Sequence, residues 1–236
     1  MIDKWQHQGF VTLGIATGSP HTFKDPKTGK WSGIAVDILN AWAATMHIEP
    51  RYVDTTWDNM IAGLVASRYD IGVSTTPTPT RALAVVFTES YFTDHATAVV
   101  RNDAPVASLE DMNKAGMKIA TTAGTVQEKA LTDYAAKNHL DNFKIVRLPT
   151  NDEVILAFQS KRADAMFLDV LGNRNYHTLH PDNTKVVEPN PALSVAGSAF
   201  SMRKDACFTD IAAFNVEITD LLNNGEVEAF TQSYMK

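Results

Sequence analysis

The sequence predicts an α/β protein made of two units, the first of them discontinuous. Three observations carry this. Short apolar strand-like runs alternate with helix-period segments through the first 90 residues, the pattern of parallel strands joined by crossover helices. A second alternation of the same kind runs from about 101 to 190. The remaining tail carries helix patterns but no sheet of its own, so it completes the first unit and the chain crosses between units twice.

Each element has its own signal. Residues 10–16 (FVTLGIA) read as a buried strand, followed by the loop 17–23. Residues 24–30 have the Pro and Gly turn chemistry of a hairpin-like excursion. Between 33 and 46, Ile34, Ile38, Leu39, Trp42 and Met46 recur at helical spacing, and Pro50 ends the segment. Residues 51–53 form a short strand, and 57–67 a helix with Ile61, Leu64 and Val65 on one face. Ile71 and Val73 open a strand that runs into a hydroxyl-rich turn from Ser74 on, where Thr78 reads as an N-cap and Pro79 as the first helical residue.

Residues 96–100 are a strand leading to a crossing near Pro105. Ser108 caps a helix, and 118–121 form a strand. Thr125 with Glu128 three residues on has the form of a capping box for a helix through Ala136. A strand at 144–148 precedes a helix capped by Asn151, and the apolar strand 165–168 ends on Asp169. The strands 185–187 and 195–202 flank a Pro-rich second crossing. Asp205 then caps a long helix with Ile211, Phe214 and Ile218, Gly225 ends it, and a short helix with Val227, Phe230 and Tyr234 follows. The expected lobes are 1–96 with 194–236, and 97–193.

Composition narrows the function. A chain of 236 residues with 44% hydrophobic and 20% charged residues can bury a full core. A net charge of −6 offers no basic surplus for nucleic acid or anionic lipid. No apolar run approaches a membrane span, and no basic, apolar leader opens the chain, so an exported protein would be met here with its signal removed. Cys207 is the only cysteine, which excludes an internal disulfide or Cys-based zinc site; a buried thiol is expected. There is no dinucleotide fingerprint, phosphate loop or nucleophile elbow, so neither a cofactor nor a catalytic motif is read. His177 and His180 share a helix face without a third ligand nearby in sequence, and are expected to be solvated rather than metal-bound.

Three clusters fall at strand ends or helix starts. Ser74, Thr76 and Arg81 place hydroxyls and a flat guanidinium fork after a buried strand, where a carboxylate can be held at two points. Gly124, Thr125 and Val126 stand at a helix start, with its unpaired N–H groups. Asp169 closes an apolar strand, where a carboxylate needs a partner. Taken singly they read as a surface charge and two helix caps. Taken jointly they fit one zwitterion, its carboxylate on Arg81 and the N–H groups, its ammonium on Asp169. Trp57 and Phe23 read equally well as core anchors or as flat walls for a ligand side chain.

The ordered phrases Leu13-Gly-Ile-Ala, Phe23, Gly33 to Asp37, Ser74, Thr76 and Arg81 with Phe87 to Phe92, Gly124 to Glu128, 163–169 and Asn224-Gly225 resemble the extracytoplasmic solute-binding proteins of bacterial polar amino-acid uptake systems. The likeness spans nearly the whole chain. It implies a two-lobe periplasmic-binding-protein-like fold (type II), a mixed sheet in each lobe and two hinge crossings. It implies a periplasmic or lipid-anchored extracytoplasmic monomer that passes an amino acid to an ABC permease. Ser74, Thr76, Arg81, Thr125 and the Val126 backbone would hold the ligand carboxylate, Asp169 the ammonium, and Phe23 and Trp57 would flank the side chain. Thr17 stands where cationic amino-acid binders carry an acid, and Pro20 where a tyrosine is often found. Cyclohexadienyl dehydratases resemble the chain around Gly124-Thr125 and Asp169; where the resemblance would place their acid-base glutamate this sequence has Gly172, which has no proton to exchange. A ligand-sensing receptor domain is the third reading.

Overall fold

The computed structural model describes residues 1–235. In chain order the elements are α1 (Ile2–Gln8), β1 (Phe10–Ile15), β2 (Phe23–Lys24), β3 (Trp31–Ser32), α2 (Ile34–Thr45), β4 (Glu49–Asp54), α3 (Met60–Val65), β5 (Ile71–Thr75), α4 (Pro79–Ala82), β6 (Val85–Phe87) and β7 (Phe92–Arg101). There follow α5 (Leu109–Lys114), β8 (Lys118–Thr122), α6 (Val126–Lys137), β9 (Lys144–Leu148), α7 (Asn151–Gln159), β10 (Ala165–Asp169), α8 (Val170–Leu179), β11 (Thr184–Val187), β12 (Leu193–Arg203), α9 (Phe208–Asn223) and α10 (Glu226–Tyr234). Two compact units are formed, Met1–Thr93 with Gly197–Met235, and Asp94–Ala196. The chain passes from one to the other within β7 and within β12.

In the first unit β1 pairs in parallel with both β4 and β5, as the strand–helix alternation requires. β12 runs antiparallel to β5, with a register shift between Ala199 and Ser201, and β6 runs antiparallel to β12. Pro50 lies in β4, the edge strand, where its missing N–H breaks no ladder. The core is a run of rings. Tyr91 stacks on Phe200 at 5.2 Å, Phe200 on Phe214 at 5.0 Å and Phe214 on Trp42 at 4.3 Å, and Trp42 meets Trp5 edge-on at 5.9 Å. Each such side chain stabilises the fold by about 2–3 kcal/mol through burial. The tail supplies Phe214, so α9 and α10 pack on α2 to finish this core.

The second unit orders its strands β11, β7, β10, β8, β9; β10 and β9 run parallel to β8, and β7 runs antiparallel to both β10 and β11. One face packs Phe167, Leu131, Met112 and Ile119, the other Met166, Val154, Phe158 and Ala120. The side chains of β10 alternate between these two cores, so both faces of the strand are apolar until Asp169.

Several boundaries differ from the sequence reading. The helix expected at 57–67 begins only at Met60, because Thr56, Asp58 and Asn59 hydrogen-bond among themselves in a turn. Thr150, not Asn151, caps α7, in a full capping box with Glu153; Asn151 is buried and accepts from the Thr122 hydroxyl at 2.6 Å. Thr125 accepts from the Glu128 N–H, but Glu128 does not reach back: its Oε1 accepts from Arg147 at 2.8 Å. Cys207, not Asp205, caps α9, with Asp210 closing the box, and the Cys207 side chain is exposed rather than buried.

Candidate functional site

Each unit carries a cluster of polar groups at the carboxyl ends of its strands. In the first unit β5 ends on Ser74 and Thr75. Ser74 has φ 56°, a left-handed conformation that is costly for a residue with a side chain. Its buried hydroxyl lies 2.8 Å from the Tyr91 hydroxyl, which is 3.4 Å from His21 Nδ1. Thr78 caps α4 by accepting from the Arg81 N–H, with Pro79 at the first turn, as its sequence indicates. That turn brings Arg81 back over the strand end, where its Nη1 donates to the Thr76 carbonyl at 3.0 Å. Burial pulls the Arg81 pKa below its ordinary value, a sign that the fold holds this charge at a cost in solvation.

The loop after β1 is seated on the start of α2. Pro20 and His21 carbonyls accept from the Ile34 and Ala35 N–H groups at 3.1 and 3.0 Å, two donors that a helix leaves unpaired. Gly33 makes this possible: its φ is 125°, and a Cβ there would collide with the His21 carbonyl. Trp57 Nε1 donates to the Thr17 carbonyl at 2.9 Å, tying the turn before α3 to the same loop. Phe23 lies in β2 with its ring edge-on to Tyr234 of α10 at 5.5 Å. Tyr234 donates to Asp37, and burial together with that carboxylate pushes its hydroxyl up to about 12.

In the second unit Gly124, at φ 75°, turns the chain from β8 into α6. The Thr125 hydroxyl donates to the Thr122 carbonyl at 2.8 Å while accepting from Glu128, which leaves the first turn of α6, from Val126, to present its N–H groups. Asp169 ends β10 and caps α8, accepting from Gly172 N at 2.7 Å. Asp94 accepts from Val170 N at 3.2 Å, so a second carboxylate shares the positive end of α8. Oxygens of Asp94 and Asp169 lie within 4.8 Å of each other. Asn173, fully buried, donates to the Thr97 carbonyl and hydroxyl and holds α8 against β7.

Thus Thr76 is bonded to Arg81, while Ser74 instead meets Tyr91. His21 and Asp94 were not singled out from sequence, nor was Tyr91 as a polar partner. No local pattern marks them: within the first unit Tyr91 reaches Ser74 and His21, and within the second Asp94 reaches the start of α8, only after folding.

A family model for bacterial extracellular solute-binding proteins, family 3, matches residues 11–236. The chain belongs to this family. Among relatives, it is 26% identical over 203 residues to the arginine-binding extracellular protein ArtP of Bacillus subtilis, covering 86% of this chain and 77% of ArtP. Among solved structures it resembles the ancestral amino acid-binding protein AncCDT-1, a precursor of cyclohexadienyl dehydratase, with TM-score 0.86, 28% identity and coverage of 100% and 99%. It also resembles a mutant of ArgBP from T. maritima, with TM-score 0.84, 26% identity and coverage of 99% and 98%. The fold is therefore the two-lobe α/β binding-protein fold, and family membership carries solute binding and an extracytoplasmic location. No helix among the described residues is long and apolar enough to cross a membrane.

Proposed function

We propose that the chain captures an amino acid outside the cytoplasm and delivers it to an ABC permease. Arg81, Ser74 and Thr76 bind the ligand carboxylate, aided by Thr125 and the Val126 N–H. Asp169 binds the ammonium, and Trp57 and Phe23 flank the side chain. The lobes close on the ligand about the crossing strands, and the closed form is what the permease receives. The protein works as a monomer and transforms nothing. It resides in the periplasm, or on a lipid anchor if its source has one membrane.

The observation that carries this reading is the half-buried Arg81 guanidinium held at the end of β5, a charge-assisted donor suited to a carboxylate. The relatives named for arginine make arginine the first ligand to test; Thr17, in place of an acid, is the reason to test uncharged side chains beside it. Gly172 argues against a lyase, since a glycine has no side chain with which to exchange a proton.

A thermal-shift screen across the amino acids tests the proposal. A ligand at 100 times its Kd stabilises the native state by about 2.7 kcal/mol, a rise of roughly 5–10 °C for a chain of this size. One or a few amino acids should give it. No shift with any amino acid, together with turnover of prephenate or arogenate, would overturn the reading in favour of the lyase.

A further inference from the structure

Phe23, which the function proposed above makes a wall for the ligand side chain, is braced by a residue of α10, far along the chain; the inference rests on that assignment. β2 and β3 form a two-stranded ribbon of their own, apart from the sheet of β1, β4 and β5, and such a ribbon is marginally stable unless something holds it. Neighbouring side chains on a strand point to opposite faces, so Phe23 and Lys24 anchor the ribbon on opposite sides. Lys24 pairs with Asp54 at the end of β4, and Trp31, opposite Lys24 in the ribbon, donates from Nε1 to the same carboxylate at 3.1 Å. On the other side the Phe23 ring stands edge-on to the Tyr234 ring, with centroids 5.5 Å apart and planes at 80°. Tyr234 is the last residue of α10, and its hydroxyl donates to Asp37 of α2 at 2.8 Å.

The bond to Asp37 latches the tyrosine at its tip, and buried Val227 and Thr231 seat its helix on the unit. Burial and the Asp37 carboxylate push the Tyr234 hydroxyl up to about 12, so it is protonated and donating at neutral pH. Asp37 lies in the first turn of α2, its N–H donating to the Gly33 carbonyl at 3.0 Å, one residue past the end of β3. The backbone ahead of Phe23 is already pinned: Thr22 exchanges two bonds with Gly18, at 2.7 and 3.0 Å, and its hydroxyl donates to the Ala16 carbonyl. What the backbone leaves open is the angle of the Phe23 ring, and an edge-on contact with a latched tyrosine removes that freedom. We infer that Tyr234 is a positioning residue for side-chain recognition: latched to Asp37, it holds the Phe23 ring at the angle that gives the ligand side chain a flat face. Through this contact α10 enters the selectivity of the site.

The test compares two ligands on the intact protein. One is the amino acid that the thermal screen selects, read by calorimetry. The other is alanine, which shares its backbone groups but gives Phe23 almost nothing to flank, read by thermal shift at millimolar concentration. Tyr234→Leu removes the ring and should weaken the selected ligand about tenfold, while alanine stays within about twofold. Tyr234→Phe keeps the ring, loses only the bond to Asp37, and should cost the selected ligand about threefold. A tyrosine that merely stabilised the unit would move both ligands alike, so equal losses, or none, overturn the inference. Should Tyr234→Leu not fold, Asp37→Ala opens the latch without touching either ring. It should match Tyr234→Phe, and the double variant should bind like either single one, because both remove the same bond. Losses that multiply refute the latch. Phe23→Ala tests the assignment underneath. If it leaves the preference for the selected ligand over alanine unchanged, or if the screen selects glycine or alanine, Phe23 is no wall and both readings fall. A preference lost in Phe23→Ala but kept in Tyr234→Leu sinks the positioning role alone.

Discussion

Arg81→Ala is the sharpest test of the proposed carboxylate contact. The substitution removes a guanidinium that burial has already stripped of part of its water. A ligand carboxylate left without that partner loses about 2–5 kcal/mol of binding. Partial exposure of Arg81 puts the expectation near 3 kcal/mol, or about a hundredfold in Kd. Arg81→Lys keeps the charge but not the fork, and should recover about half of that loss in logarithmic terms. The unliganded fold should suffer little. The bond from Nη1 to the Thr76 carbonyl accounts for about 1 kcal/mol of what is lost, and the fold is relieved of part of a desolvated charge. Calorimetry on the three proteins, with an amine analogue of the ligand that lacks the carboxylate, separates binding from folding. Arg81→Ala should bring the amino acid down to the affinity of the amine. If Arg81→Ala binds within threefold of wild type, or the wild-type protein takes the amine as tightly as the amino acid, the contact is wrong.

Gly33→Ala should destabilise the first unit by more than about 2 kcal/mol, seen as a lower urea midpoint, because an alanine at φ 125° is strained and its Cβ meets the His21 carbonyl. The same change should weaken ligand binding through the displaced loop. Asp210 should contribute an acid limb to the stability curve. Burial alone would raise its pKa, but the Cys207 side chain and the Ile2 N–H outweigh it and hold the carboxyl at about 2, against 3.8 for the free side chain. A depressed native pKa means the stabilisation is present above pH 3.8 and is lost as pH falls toward 2, in total about 2 kcal/mol. Chemical unfolding across that window should show a flatter slope in Asp210→Asn.

Elements whose signal is local were legible from the chain alone. Thr78-Pro79 gives a helix start wherever it stands, and Ser108 caps α5 by accepting from Asp111 N. The parallel strands of the first unit follow from crossover helices between apolar runs. Caps went astray where two polar residues compete at neighbouring positions. Thr150 wins over Asn151 because Asn151 is drawn into the interior by the Thr122 hydroxyl, a residue far away in sequence. Cys207 was misjudged because its polarity class said buried, while its place at the N-cap of α9 turns it outward. The capping box at Thr125 is half made, since Arg147 claims the Glu128 carboxylate.

By itself the sequence determined the α/β class and the family, because periodicity, caps and residue type are properties of short stretches, and it supplied the residues on which the proposed site rests. Only tertiary structure decided how those residues are held. It set Ser74 against Tyr91 and His21, and it placed Asp94 beside Asp169 at the head of α8. The physical reason is that a hydrogen bond falls off within a few tenths of an ångström, so which hydroxyl meets which is fixed by packed rings and strand register rather than by neighbours along the chain.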